Sequence, residues 1–199
     1  MLTLFHAPRS RSGRIVWLLE ELGADYDLRY VTIRHGDGSG GGPDRTNPHP
    51  DKKVPALLHD EALVTESTAI AIYLCDLFPE AGLAPRVGET GRGAFLTWMC
   101  WFDGELGPAI FERMAAGDDA PASAGFEAVV RRIGDALARG PYVLGDRFSA
   151  ADVMLGGVLF WAGHLLAGVP GIDAYRDRLA ARSAFARGCE LDAPRQVAA

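Results

Sequence analysis

The sequence is short of cysteine, of net positive charge and of any apolar run long enough to cross a membrane, and each shortage excludes a class of protein. Cys75, Cys100 and Cys189 are odd in number, widely spaced and free of any Cys-x-x-Cys pattern, which leaves no disulfide framework and no zinc site; no metal is expected. Cys75 and Cys100 fall in apolar helical patterns and are expected as buried thiols, whereas Cys189, near the end, is expected at the surface. Against 20 Lys and Arg stand 26 Asp and Glu, a formal charge of −6, so no field gathers nucleic acid or an anionic membrane and neither is an expected partner. The least polar run, Val153 to Ala167, falls short of the ~18–20 residues of a membrane span and reads as a buried core helix. The opening Met-Leu-Thr-Leu-Phe-His has no basic segment followed by an apolar stretch, so no export signal is evident and a cytoplasmic location is expected.

What is present is enough for a core: 199 residues, 48% of them hydrophobic, fit one large domain or two small ones. Leu2 to His6 reads as a strand, Ala7 to Gly13 as a polar loop, and Ile15, Leu18, Leu19 and Leu22 recur at helical spacing before a Gly23 stop. Asp27 to Ile33 reads as a second strand, which makes the opening a βαβ unit with a right-handed crossover. His35 to Pro50 is rich in Gly and Pro, cannot bury a face and is expected as a mobile loop. Beyond a polar linker at Gly82 to Glu89 no strand signal recurs. Phe95 to Leu106, Phe126 to Leu137 and Val153 to Ala167 read as helices, with shorter ones near Tyr175 to Leu179 and Ala184 to Arg187. Ser149 and Asp152 are spaced as a capping box, a structural feature.

The stretch Lys53 to Ser67 organises the rest. Ala56 to Leu58 and Leu63 to Thr65 read as two short strands around a turn at His59 to Glu61, and Glu66-Ser67 opens a helix that ends before Pro79. An X-Pro bond costs only about 0.5–1 kcal/mol in its cis form and, placed just before a strand, can turn the Val54 N–H and C=O outward toward a peptide-like ligand. Ser67 stands where unpaired N–H groups and the positive end of a helix favour a carboxylate, and Glu66 beside it can meet an amino group. Singly, each residue reads as an ordinary turn or helix start. Together they make a site for an amino-acid head group with a peptide unit next to it.

Val54-Pro-Ala-Leu followed by Glu66-Ser-Thr-Ala-Ile resembles the glutathione site of the cytosolic glutathione transferases, in their bacterial form. Ser149 to Asp152 and Ser183-Ala-Phe-Ala-Arg187 resemble segments of the second domain of that family, so the likeness runs through nearly the whole chain. It implies an α/β thioredoxin-like domain (βαβ, then ββα) over residues 1–80 and an all-α helical domain over 88–199. It also implies glutathione as co-substrate, held by Lys53, Val54, Pro55, Glu66 and Ser67, with His49 or Lys52 assisting at the far carboxylate, and a homodimer in which Asp103 or Glu105 reaches the neighbouring ligand.

Glutathione attacks as its thiolate, and a free thiol near pKa 8.5 is mostly protonated at neutral pH. A hydroxyl donor, a cation and a helix N-terminus all lower that value, and the loop Arg9-Ser-Arg-Ser12 offers all three. In the family a Tyr, Ser or Cys of this loop touches the sulfur. Here there is no Tyr or Cys, and counting back from a helix start at Arg14 lands on Arg9, so Ser10 is the expected catalytic hydroxyl, with Ser12 and Arg11 behind it. Ser12 also reads as a simple N-cap, and His6 as structural; no third residue suggests a Ser-His-Asp set. The electrophile's pocket is expected between the domains, along Trp98, Met99 and Phe102 with Met114. The expected reaction is conjugation of the thiolate to a small hydrophobic electrophile. The alternatives are a glutathione-dependent disulfide oxidoreductase or isomerase of the same fold, and a non-enzymatic glutathione-binding protein.

Overall fold

A computed structural model describes residues 1–35, 38–117 and 120–194. Gly36 and Asp37 of the expected mobile loop, and Asp118, Asp119 and residues 195–199 of the expected helical domain, lie outside them.

Four strands form one mixed sheet in the order β2-β1-β3-β4: β1 (Leu2–His6), β2 (Tyr26–Tyr30), β3 (Ala56–His59) and β4 (Ala62–Thr65). β1 runs parallel to β2, with Leu2 opposite Tyr26 and His6 opposite Tyr30, and antiparallel to β3, with Phe5 opposite Ala56. β3 and β4 form a hairpin with Ala56 opposite Thr65. All five residues of β1 are buried, as a strand paired on both edges requires, so the alternation in its sequence does not produce a solvent face. The expected second strand to Ile33 stops at Tyr30; the chain keeps one more tie to β1, the Val31 N–H donating to the His6 carbonyl at 2.9 Å.

Helix α1 (Gly13–Leu22) buries Ile15, Leu18, Leu19 and Leu22 and stops at Gly23, whose φ of +62° is the left-handed cap conformation that glycine takes without strain. Helix α2 (Ser67–Leu77) follows β4 directly and ends at Phe78, before Pro79. The order βαβ, loop, ββα is that of a thioredoxin-like domain.

The remaining helices are α3 (Arg92–Trp101), α4 (Gly107–Ala116), α5 (Ala124–Leu137), α6 (Ala150–Ala162), α7 (Ile172–Ala180) and α8 (Ser183–Leu191). A π-helical turn, Phe102–Leu106, joins α3 to α4, and Gly107 fits against the Phe102 carbonyl, which an added Cβ would approach to 3.3 Å. Trp98, Met99 and Phe102 are buried in the helical core, so the aromatic stripe read as a pocket wall is packing; Met114 is exposed. Cys100, expected to be buried, is exposed, because it stands on the outer side of α3 beside Leu96, Thr97 and Arg132 in an open groove. Cys75 is buried and Cys189 exposed. Asp152 is fully buried and accepts hydrogen bonds from the N–H groups of Ser149 (2.8 Å) and Val143 (2.9 Å), and from the hydroxyls of Ser149 (3.0 Å) and Tyr175 (3.0 Å).

Two compact units divide the chain: one is Met1–Ala81 together with α8, the other Gly82–Arg182. α8 joins the first unit because Gly188 lets it lie against α1, where an added Cβ would come within 3.1 Å of the Trp17 Cα. Phe185 meets the Trp17 ring edge-on at 5.0 Å, the Arg187 Nε donates to Glu20 Oε2 at 2.9 Å, and the Tyr30 hydroxyl donates to the Leu191 carbonyl at 2.8 Å.

Candidate functional site

The sheet topology gathers the predicted residues before any side chain is considered. Phe5 pairs with Ala56 and Ala56 with Thr65, so the loop after β1, the Val54-Pro55 segment before β3 and the Glu66-Ser67 segment after β4 leave the same end of the sheet side by side. Ser10 and Ser12, Val54 and Pro55, and Glu66 and Ser67 therefore lie on three segments that leave one end of the sheet.

The Val54–Pro55 bond is cis, and the Val54 side chain packs on the small core of Phe5, Val31 and Ala56. Among the described residues the Val54 N–H and C=O make no hydrogen bond. The preceding residue is held firmly: Asn47, fully buried, donates from Nδ2 to the Lys53 carbonyl at 2.9 Å and accepts the His49 N–H on Oδ1 at 3.0 Å. Lys52 Nζ donates to the Asn47 carbonyl at 2.7 Å, and His49 Nδ1 accepts the Asp51 N–H at 3.0 Å. His49 and Lys52, expected as helpers at the ligand, are thus engaged in shaping the loop. Lys53 is exposed, with Nζ 3.4 Å from Asp51 Oδ2, a weak surface pair that leaves the ammonium able to turn to an anion.

Glu66 has φ +68° and ψ +126°, a conformation uncommon for a residue with a side chain, and it makes no cap hydrogen bond. Ser67, nearly buried at the first position of α2, has neither its N–H nor its hydroxyl paired among the described residues. Unpaired donors at a helix start beside an exposed carboxylate suit the carboxylate and ammonium of a zwitterion.

The loop after β1 is a hydrogen-bonded chain. His6 is fully buried, with Nδ1 2.8 Å from the hydroxyl of Ser12, itself fully buried. The Ser12 Oγ accepts the Ala7 N–H at 3.2 Å and lies 2.7 Å from the Ser10 Oγ, which in turn can donate to the Ala7 carbonyl at 2.7 Å and accepts the Ser12 N–H at 3.2 Å. Ser10 is half-buried, and Arg9 and Arg11 are exposed. The His6 Nε2 makes no hydrogen bond and faces Asp192 Oδ1 at 3.4 Å. Sequence reasoning missed Asp192 altogether, since it lies 186 positions from His6 and just past α8, in a segment with no motif.

Burial pushes the His6 imidazole down to about 4, so the ring is neutral at pH 7 despite its carboxylate neighbour. Burial raises the Asp192 carboxyl to about 6, against the opposing Arg9 N–H bond and Arg9 charge, and leaves it mainly ionised at pH 7. A neutral imidazole facing a carboxylate through Nε2 carries its hydrogen there, so Nδ1 accepts from Ser12. With that tautomer the Ser12 hydrogen goes inward, to His6 at 2.8 Å or the Ala7 carbonyl at 3.3 Å, and the Ser10 hydrogen has the Ala7 carbonyl and the Ser12 Oγ as acceptors, both at 2.7 Å, in a residue that is half-buried where Ser12 is fully buried.

Known proteins bear on this arrangement directly. Residues 1–76 match the family model for the glutathione S-transferase N-terminal domain and residues 108–186 that for the glutathione S-transferase C-terminal domain. Glutathione S-transferase GstA of Escherichia coli is 30% identical over 192 residues, spanning 90% of this chain and 92% of that protein. The chain belongs to the glutathione S-transferase family. Within that family it is also similar to the disulfide-bond oxidoreductase YfcG of Escherichia coli, 27% identical over 169 residues, 77% of this chain and 76% of that one. Among solved structures, a glutathione transferase of Methylococcus capsulatus superposes with a TM-score of 0.76 at 31% identity, over 96% of this chain and 98% of that one. A sphingomonad glutathione S-transferase complexed with glutathione gives 0.77 at 27% identity, with the same coverage. The chain thus has the glutathione-binding fold of the glutathione S-transferases.

Proposed function

We propose that this protein is a glutathione transferase that adds the glutathione thiolate to a small hydrophobic electrophile. The observation that carries the reading is the set of groups at one end of the sheet: the Val54 backbone and the Ser67 N–H and hydroxyl, unpaired among the described residues, and the half-buried Ser10 hydroxyl. In it the γ-glutamyl head group sits on Glu66 and Ser67, the cysteinyl backbone pairs with Val54 beside Pro55, and Lys53 meets the far carboxylate. Ser10 donates to the sulfur, Ser12 holds Ser10, and Arg11, exposed in the same loop, adds positive field. The thiol loses its proton to solvent, the thiolate forms the new carbon–sulfur bond, and the leaving group departs with the electron pair. No metal takes part in this scheme. On this reading the protein works in the cytoplasm as a homodimer, with Asp103 or Glu105, both exposed on the π-helical turn, reaching the ligand of the partner subunit; sedimentation checks the assembly.

The similarity to a disulfide-bond oxidoreductase supports a second reading, reduction of glutathione mixed disulfides by glutathione itself. Purified protein, free glutathione and an activated aryl halide separate the cases. Conjugation with thiolate absorbance at neutral pH is expected. Binding without conjugation, together with turnover of a mixed disulfide, favours the second reading, and absence of any rise in melting temperature with glutathione refutes both.

A further inference from the structure

The Asp192 carboxylate is carried past the end of α8 onto the first turn of α1, and three contacts meet on its Oδ1. The Arg9 N–H donates to it at 3.1 Å, the buried and otherwise unbonded Nε2 of His6 faces it at 3.4 Å, and Gly13 lies so close that an added Cβ would stand 3.0 Å away. Arg9 has φ +57°, a left-handed conformation that a residue with a side chain adopts only when something holds it. Its N–H is the donor that Asp192 holds, and it immediately precedes Ser10. The bare face at Gly13 is what admits the carboxylate to the positive end of the helix. None of these contacts is needed to anchor α8, which the Trp17, Glu20 and Tyr30 contacts already hold on α1 and β2.

We propose that Asp192 is a positioning residue for the thiolate chemistry: by holding the Arg9 backbone in its left-handed turn it fixes where the Ser10 hydroxyl points. The C-terminal segment thereby becomes part of the activating loop without touching the substrate. This rests on the transferase reading above, in which Ser10 meets the sulfur.

The test compares Asp192→Ala, which removes the acceptor, with Asp192→Asn, which removes the charge but keeps an oxygen for the Arg9 N–H. Amide hydrogen exchange reads the loop without any ligand, and kcat, KM and glutathione affinity are taken with an activated aryl halide. In Asp192→Ala the Arg9 amide should exchange about tenfold faster and kcat should fall about tenfold, the loss of one hydrogen bond to a charged group, with glutathione affinity within about twofold. Asp192→Asn should restore both to within about threefold. An unchanged exchange rate in Asp192→Ala, equal losses in the two variants, or faster exchange with an unchanged kcat would each overturn the proposal. If the wild-type protein neither binds glutathione nor conjugates it, the transferase reading fails and the catalytic role of Asp192 falls with it. The exchange data then still decide whether Asp192 holds the loop.

Discussion

His6 Nε2 and Asp192 Oδ1 stand 3.4 Å apart, and burial moves their two ionisations in opposite senses, His6 down to about 4 and Asp192 up to about 6. The depressed histidine contributes stability that is complete above its unfolded value of 6.5 and lost as pH falls through 4. The raised carboxyl does the reverse: its contribution is complete below 3.8 and lost as pH rises through 6. Each is on the order of 2–3 kcal/mol, so between pH 6 and 4 they nearly cancel. Asp192→Asn should unmask the histidine, and unfolding free energies from urea titrations at pH 4.5, 5.5 and 7 should fall with decreasing pH about 1 kcal/mol per pH unit more steeply than in the wild type. Parallel curves would mean the two groups do not offset one another.

The two serines of the loop should separate by what they lose. Ser12 is buried and bonded to His6 at 2.8 Å and to the Ala7 N–H at 3.2 Å, so Ser12→Ala leaves buried polar atoms unpaired and should cost about 1–3 kcal/mol of stability. Ser10 is half-buried, and Ser10→Ala should cost under about 1 kcal/mol while lowering the conjugation rate about 100-fold, as the loss of one donor to a developing anion does. Melting temperatures and rates with an aryl halide check both. A rate loss confined to Ser12→Ala would transfer the sulfur contact to that residue.

The contrast between these serines marks where sequence reading stops. β1 is legible to the residue, because Leu2 to His6 is bounded by a polar loop, and α1 and its Gly23 stop follow from helical spacing and the one glycine that suits a left-handed cap. The grouping of Val54, Glu66 and Ser67 follows from hairpin pairing once two short strands are assumed. Burial is another matter. Ser10 and Ser12 are two positions apart in a polar loop, and only the fold buries one beside His6 and leaves the other half-exposed. Asp192 is further out of reach, since its position depends on α8 turning back onto α1 through the bare surface of Gly188, a contact between segments more than 160 residues apart. Cys100 and the Trp98, Met99 and Phe102 stripe fail for a related reason: apolar spacing identifies a helix but not which of its sides meets the core.

Glu66 holds a backbone conformation, φ +68° and ψ +126°, that glycine tolerates better than a residue with a Cβ, and nothing in its own capping explains it. Glu66→Gly should therefore stabilise the free protein by roughly 1 kcal/mol, less the added entropy of an unfolded glycine, while glutathione affinity drops about tenfold with loss of the carboxylate. Urea unfolding without ligand and calorimetry with glutathione read the two effects separately. A variant that is less stable and binds as before would show that the conformation serves the fold and not the ligand.

Asp152 tests the opposite case, a buried carboxylate given wholly to structure. It accepts from two backbone N–H groups and two hydroxyls, tying the start of α6 to Val143 and to Tyr175 of α7, and desolvation raises its pKa against those four bonds. Asp152→Ala leaves all four donors buried and unpaired, and a loss of about 3–5 kcal/mol is expected, larger than the 0.5–2 kcal/mol of an exposed cap. Asp152→Asn keeps one acceptor oxygen but turns an amide toward donors, so it should recover less than half of that loss. Because the group's pKa is raised on folding, its own contribution is complete below 3.8 and lost as pH rises through the folded value, so the cost of Asp152→Ala should be greater near pH 4 than at pH 8. The kinetics separate this residue from Ser10: below the melting transition of Asp152→Asn, kcat and KM for the folded fraction should match the wild type, and a kcat lowered at full occupancy of the folded state would show that Asp152 reaches the chemistry after all.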